Sequence, residues 1–255
     1  VRNLFSVEGK VALVTGGTRG IGRMIAEGLV EAGARVYVSS RKPQACEETA
    51  AELSQRGECH PLPADLQSEE EARRLADAIG AREDALHVLV NNAGANWGAP
   101  LEEYPAAAWE KVLNLNVKAP FFLSRALLSR LQKASTPGDP ARVINVGSID
   151  GLHVPALETY AYSTSKAALH HLTRVLARKL APAITVNAIA PGPFPSKMMA
   201  ETLDRFGDAI VASCPLGRIG EPEDMAGVAL YLASRAGAYV TGAVIPVDGG
   251  IATTL

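Results

Sequence analysis

Short runs of β-branched and aliphatic residues alternate with longer stretches whose apolar positions recur every three or four residues. Val11–Thr15 reads as a buried strand and Ile21–Ala32 as the helix after it. Arg35–Ser39 and Pro43–Arg56 repeat the pair, and Cys59–Ala64 is a weak strand before a helix over Ser68–Gly80. Leu86–Asn91 is a strand, Ala106–Ala134 one long helix or two, Arg142–Val146 a strand and Ala161–Leu180 a helix. Thr185–Ala190 and Tyr239–Val247 complete the expected strands. Strand–helix alternation of this kind implies parallel strands with helices on both faces. The expected class is α/β, one doubly wound parallel sheet of about seven strands in a single domain over residues 1–255.

Pro137, Gly138 and Pro140 mark a loop, and Gly192, Pro193 and Pro195 mark another. Beyond the second, Lys197–Val211 has helical spacing but weak ties to the sheet pattern. In open α/β sheets ligands lie at the carboxyl ends of the strands, so residues 193–215 are expected to form a helical flap over a substrate.

Hydrophobic residues make up 47% and charged residues 20% of the chain, which suits a packed core rather than disorder. A net charge of −2 provides no field for nucleic acid or an anionic membrane. No apolar run approaches the ~20 residues that span a bilayer, so no membrane insertion is expected. Val1–Lys10 is mixed polar and unlike a signal peptide. Three widely spaced cysteines offer neither a disulfide framework nor a zinc site, and a cytoplasmic protein is expected. The histidines show no metal-ligand pattern with acids, so no metal is expected.

Candidate chemistry begins at Gly16-Gly17-Thr18-Arg19-Gly20-Ile21-Gly22, between the first strand and its helix. Strand, glycine turn and helix N-terminus together form an anion site, since free amides and the helix dipole both favour negative charge. Glycine permits the tight turn and lets a pyrophosphate approach the main chain. A structural turn without ligand would show the same spacing. About 20 residues on, an NAD site places an acid against the ribose 2′-hydroxyl. Here the strand ends Val38-Ser39-Ser40-Arg41-Lys42, with no acid. Arg41, with Arg19 from the other side, suits a 2′-phosphate, so NADP(H) is the expected cofactor.

Tyr162-Ser163-Thr164-Ser165-Lys166 opens a helix, and positions i and i+4 share one face with Cβ atoms ~5–6 Å apart. A phenol and an ammonium can therefore converge on one ligand. The cation is expected to stabilise the phenolate and lower the phenol's pKa, and Tyr162 to give a proton to an oxygen gaining charge. Tyr160, two residues earlier, cannot share the Lys166 face as well. Ser148 ends the Arg142–Val146 strand region, where its hydroxyl can hold a carbonyl. It lacks a G-x-S-x-G elbow, and His153 is the only histidine nearby, which counts against a serine nucleophile.

These pieces resemble the short-chain dehydrogenases/reductases. The matches are Thr15–Gly22, Ala64-Asp65-Leu66, Asn91-Asn92-Ala93-Gly94, Leu115-Asn116-Val117, Gly147-Ser148, Tyr162–Lys166, Pro191-Gly192 and Val247-Asp248-Gly249-Gly250, in the family's order. The resemblance implies a Rossmann-type fold and a tetrad of Asn116, Ser148, Tyr162 and Lys166, with Asn116 holding a relay water. It implies that Lys166 also binds the nicotinamide ribose and that Asp65 and Leu66 flank the adenine. Asn92, Ala93 and Gly94 would line the cofactor trough, with Asn91 more structural. Pro191, Gly192, Phe194 and Ser196 would fix the nicotinamide end, and Gly16, Thr18, Arg19, Gly20, Ile21, Gly22, Ser40, Arg41 and Tyr162 would complete the site. Within the family the chain looks most like 3-oxoacyl-thioester reductases, usually tetrameric, so a homotetramer or homodimer is expected through the Ala119–Leu131 and Leu169–Leu180 helices. The polar insertion Ser135–Pro140, with Asp139 in it, and the short Leu180–Ile184 connection depart from carrier-protein reductases and weaken a docking site there.

The expected substrate is thus a small acyl thioester or related ketone. A steroid, sugar or cyclic ketone is the enzymatic alternative, with Phe121, Trp97, Phe194, Met198 and Met199 as an apolar wall or as ordinary core. A non-catalytic NADP(H) sensor is the alternative of another class, though it need not keep the tyrosine and lysine.

Overall fold

The computed structural model describes residues 3–196 and 199–254. Lys197, the start of the expected flap helix, and Met198, a proposed wall residue, lie outside the described residues. Seven strands form one parallel sheet in the order β3-β2-β1-β4-β5-β6-β7. They are β1 (Val11–Thr15), β2 (Arg35–Ser39), β3 (Cys59–Pro61), β4 (Val88–Asn91), β5 (Ala141–Val146), β6 (Ile184–Pro191) and β7 (Val244–Val247). Order reverses between β1 and β4, so their carboxyl ends part and leave a crevice there.

Alternation along each strand divides the core. Val14, Val38, Val90 and Ile144 face α1 (Gly20–Glu31) and α9 (Pro222–Ala233). Leu13, Tyr37, Leu89 and Val143 face α3 (Glu69–Gly80) and α5 (Ala119–Ala126). Both faces are covered, which is why these strands read as continuous apolar runs. α2 (Pro43–Leu53) ends a turn earlier than expected, and β3 stops at Pro61 rather than Ala64. Prolines at 61 and 63 have no amide hydrogen for the ladder. The last strand is shorter than Tyr239–Val247 because Gly242 turns the chain at φ +76°.

The Ala106–Ala134 stretch is neither one helix nor two. α4 (Ala106–Leu113) passes through a π turn, Asn114–Lys118, into α5, and α6 (Leu128–Ala134) follows a break at Leu127. The flap helix α8 spans Ala200–Ser213, α7 runs Tyr160–Leu180, and a final turn α10 covers Ile251–Thr254. Apolar periodicity did not reveal α9. Its signal was local: Pro222 at the first position, and reciprocal bonds between Glu221 and Asp224 that satisfy the helix start.

Asp139 does not present a free acid on the surface. It accepts from Lys10 at 2.9 Å and from the buried Arg142 at 2.7 Å. Arg142 is 1% exposed and also donates to the Leu232 and Ser234 carbonyls, at 3.0 and 2.9 Å. Burial pushes the Asp139 carboxyl up, but the two cations prevail and hold it below the usual carboxylate range. The polar insertion is therefore a clamp on the amino end of β5. Asp139→Ala should cost about 3 kcal/mol, because Arg142 stays buried without its counter-charge. In a thermal melt that is a fall of ~6–12 °C; a shift under about 3 °C would refute the clamp.

Candidate active site

The glycine turn sits at the mouth of the crevice. Gly16 and Gly20 have φ of +64° and +52°, which side chains rarely tolerate. A Cβ on Gly22 would collide with the Asn92 amide and the Gly16 carbonyl. α1 starts without a side-chain cap or a first-turn acid, whereas α3 has Ser68 accepting from Glu71 and three glutamates. First-turn amides of α1 are thus left for an outside anion. This cradle fits a dinucleotide pyrophosphate. Thr18 and Ile21 are half-buried beside it, and Ile21 also packs on the core.

Arg19 and Arg41 are both exposed, and no ion pair holds either one among the described residues. Ser40 bonds locally to the Lys42 amide and carbonyl, which shapes the turn presenting Arg41. Across the crevice, both donated bonds of the Asn92 amide go to the Thr15 and Gly16 carbonyls, at 2.9 and 3.1 Å. Ala93 donates to the Thr15 hydroxyl, and Gly94 lies against the Asn116 side chain. Asn91 is buried and bonds to Asn145, as its structural reading required.

Some expected contacts are not available to side chains. Asp65 is exposed, but the Leu66 side chain is packed in the core. The Phe194 ring is 2% exposed and packs against Gly220, so residue 194 can offer a ligand only its main chain. Phe121 stacks with Phe122 and Arg125 on α5 rather than joining a wall. Trp97 is exposed beneath Lys111, and Met199 is half-buried at the foot of α8. Ser196 stands over Gly20, close to where an added Cβ would point, so it approaches the glycine turn. Pro191 ends β6, and Gly192 lies against Asp248, where a Cβ would come within 2.7 Å.

The chemical groups meet where β5 and α7 come together. Lys166 is 5% exposed and donates from Nζ to the Val146 carbonyl at 2.8 Å. Its Nζ lies 5.4 Å from the Tyr162 ring centroid. The Ser148 hydroxyl faces the Tyr162 phenol and accepts the Asp150 amide at 3.1 Å. Tyr160 gives its hydroxyl to Glu158 at 2.8 Å, outside this group. His153 bonds through Nδ1 to the Val154 carbonyl, not to Ser148.

Electrostatics correct one expectation. Burial pushes the Tyr162 phenol up to about 12; the Ser148 contact pulls it down and Asp150 pushes it further up. Lys166 does not lower it, because the ammonium is turned beneath the ring toward Val146. Burial pulls Lys166 down to about 8, with Asp150 opposing. At neutral pH the site holds a protonated phenol and a charged ammonium.

Asn116 is drawn inward by the π turn and fully engaged. Its amide donates to the Ala95 carbonyl and the Ser165 hydroxyl, both at 2.9 Å, and its oxygen accepts the Ala95 amide at 2.8 Å. The side chain ties the loop after β4 to α7. Among the described residues no group of three metal-binding side chains forms, and no helix is long and apolar enough to cross a membrane.

This arrangement defines a dinucleotide-dependent oxidoreductase site, and the chain belongs to the short-chain dehydrogenase/reductase family. A family model described as enoyl-(acyl carrier protein) reductase matches residues 16–252. The chain is 53% identical to the rhamnolipids biosynthesis 3-oxoacyl-[acyl-carrier-protein] reductase of Pseudomonas aeruginosa, covering 96% of this chain and 97% of that one. It is 35% identical to the short-chain dehydrogenase/reductase PhomF of Diaporthe leptostromiformis, over 97% and 93%. The solved Pseudomonas aeruginosa RhlG/NADP active-site complex superimposes with a TM-score of 0.96 at 51% identity, over 99% and 100% of the two chains.

His170, one of the histidines without a metal-ligand pattern in the sequence, lies one turn beyond Lys166 on the same face of α7. It is 2% exposed, and neither ring nitrogen has a well-formed bond. The ring fills the space above Gly147, where a Cβ would collide with Nε2, and reaches Gly151. Burial pulls its pKa down to about 4, with Lys166 adding and the Gly151 main chain opposing. A depressed histidine takes up its proton in the unfolded chain first. Its stabilising contribution is therefore full above about pH 6.5 and is lost as pH falls toward 4. His170→Leu should flatten that acid limb of the stability curve in urea titrations. An acid limb as steep in the variant as in the wild type would contradict it.

Proposed function

We propose that the chain is an NADPH-dependent reductase that converts a 3-oxoacyl thioester or related ketone to the 3-hydroxy product. One observation carries this reading: a protonated phenol, a serine hydroxyl and a buried ammonium converge at the ends of β5 and α7 beside the glycine turn. The 53% identical relative named for 3-oxoacyl reduction supports the substrate class. The solved complex of a relative with NADP supports the cofactor, as do Arg41 and the missing acid after β2.

Gly16, Thr18, Gly20, Ile21 and Gly22 hold the pyrophosphate, while Arg19, Ser40 and Arg41 take the 2′-phosphate. Asp65 and the main chain of Leu66 border the adenine, and Asn92, Ala93 and Gly94 form the floor. Pro191, Gly192, the Phe194 main chain and Ser196 close the far side. The reduced nicotinamide, when bound, supplies the hydride to the carbonyl carbon.

Ser148 donates to the substrate oxygen and fixes it against Tyr162. Tyr162 gives its proton as negative charge builds on that oxygen. Lys166, bonded to the Val146 carbonyl with its ammonium beneath the Tyr162 ring, holds the nicotinamide ribose in its charged form. Asn116 keeps the loop after β4 and Ser165 in place rather than touching the reacting atoms. Residues 193–215 act as the flap within a single domain, and α8, with no buried residue, is suited to close over an apolar acyl group. The exposed faces of α5 and α7 fit a homotetramer or homodimer in the cytosol.

Tyr162→Phe should lower kcat at least ~1000-fold, as loss of a general acid does, with NADPH binding by fluorescence retained; an unchanged rate would end this mechanism. In the wild type, kcat/KM for reduction should fall as pH rises through about 8, where Lys166 loses its charge. Arg41→Asp should weaken NADPH at least ~10-fold more than NADH, since only the former carries the phosphate. Equal losses by titration calorimetry would remove the 2′-phosphate argument.

A further inference from the structure

A tight turn, Ile149–Gly151, follows Ser148 and brings a second acid–base group to the site. The turn is pinned at both ends. Ser148 accepts the Asp150 amide at 3.1 Å. Gly151 lies so near α7 that an added Cβ would stand 2.7 Å from the Lys166 carbonyl carbon and 2.8 Å from the Ala167 nitrogen. Asp150 is therefore held between the serine that faces Tyr162 and the main chain of the lysine.

The turn needs only the Asp150 main-chain amide, which any residue but proline supplies; the carboxylate is surplus to it. That carboxylate is half-buried, and no ion pair holds it among the described residues. The titratable groups that interact with it are His153 on its own loop and Lys166 and Tyr162 on α7. Burial raises its pKa, and His153 and Lys166 oppose. Its amide is bonded to the Ser148 hydroxyl at 3.1 Å, which places residue 150 next to the group that would hold a substrate oxygen, and its charge acts on both Tyr162 and Lys166. Lys166 attracts it, but its Nζ is bonded to the Val146 carbonyl and forms no ion pair with Asp150.

We infer that Asp150 is a specificity-determining residue: it excludes ketones that carry a carboxylate beside the reacting carbonyl and admits their neutral esters and thioesters. The inference rests on the ketone-reductase reading above. A 3-oxo acid and its thioester offer the same ketone to Ser148 and Tyr162, but the acid adds a full negative charge two carbons away. Like charges separated by several ångströms in a partly desolvated cleft repel strongly enough to cost about tenfold in kcat/KM after screening.

The test uses the protein with NADPH and two substrates, acetoacetyl-N-acetylcysteamine and acetoacetate. Wild type should favour the thioester, and Asp150→Asn should narrow the ratio of kcat/KM values about tenfold, about 1.4 kcal/mol. Added KCl should narrow the wild-type ratio and leave the variant's ratio flat. The alkaline limb of the thioester profile should also move to lower pH, because Asp150 no longer helps Lys166 keep its proton. If Asp150→Asn does not fold, Asp150→Ser, which keeps the turn, gives the same comparison. An unchanged ratio overturns the inference, even when the alkaline limb has moved, since the carboxylate would then sense Lys166 without selecting substrate. Wild type that reduces neither ketone overturns the reductase reading and this inference with it.

Discussion

The Thr15 hydroxyl makes three bonds at the point where the sheet reverses its order. It donates to the Val90 carbonyl at 3.2 Å and accepts the Asn92 and Ala93 amides, each at 3.0 Å. Asn92 returns two bonds to the main chain at Thr15 and Gly16. At a switch point the two strand ends have no common helix to brace them. These bonds supply the brace, and they leave no space for a side chain on Gly16 or Gly22. The shape of the anion cradle, the floor formed by Asn92–Gly94 and the aim of α1 all follow from that one knot. Each bond is worth about 1 kcal/mol net, but losing any of them would leave a buried group unpaired at the cofactor's doorstep.

The second cluster depends on glycine in a different way. Gly147 and Gly151 flank Ser148, and both are bare because α7 presses on them, Gly147 under His170 and Gly151 under the main chain at Lys166. Close approach buries Lys166 and Tyr162 together, and burial, the largest cause for each, moves their pKa values in opposite directions, to about 8 and about 12. Desolvation penalises each charged form separately. The outcome is an acid that keeps its proton beside a cation that still has its charge at neutral pH. That state suits reduction, in which the phenol must give a proton rather than accept one.

Periodicity made the layers legible, because parallel strands buried on both faces write themselves as apolar runs and the helices between them as 3.6-residue patterns. Gly16–Gly22, Ser148 and the Tyr162–Lys166 spacing were legible for a related reason: short-range chemistry fixes those residue types at fixed offsets. What stayed hidden was long-range. Nothing local distinguishes a Phe194 that packs on Gly220 from one that lines a site, or a Leu66 that faces the core from one beneath an adenine. The π turn that draws Asn116 inward adds one residue per turn to an otherwise helical pattern, which apolar spacing reads as a single helix. Asp139 and Lys10 lie 129 residues apart, so nothing local in the sequence announces the pairing that holds Asp139 against the buried Arg142. The direction of the Tyr162 shift was missed for the same reason, since i, i+4 spacing fixes proximity but not the rotamer that turns Lys166 toward Val146.

Charge in this protein is placed locally, since the whole chain is close to neutral at −2. The glycine-turn side of the crevice presents Arg19 and Arg41, and the Ser148 side presents Asp150, with no ion pair holding any of the three among the described residues. A molecule that bridges both sides therefore meets a cationic end that favours phosphate and an anionic end that disfavours carboxylate. The parallel sheet brings both ends to the same edge, and the switch point sets them apart. Neither charge is needed for the fold: Arg41 is exposed and the Asp150 turn uses only its amide. Charged groups that the fold does not need, held in no ion pair at the two ends of one crevice, are placed to act on what enters it.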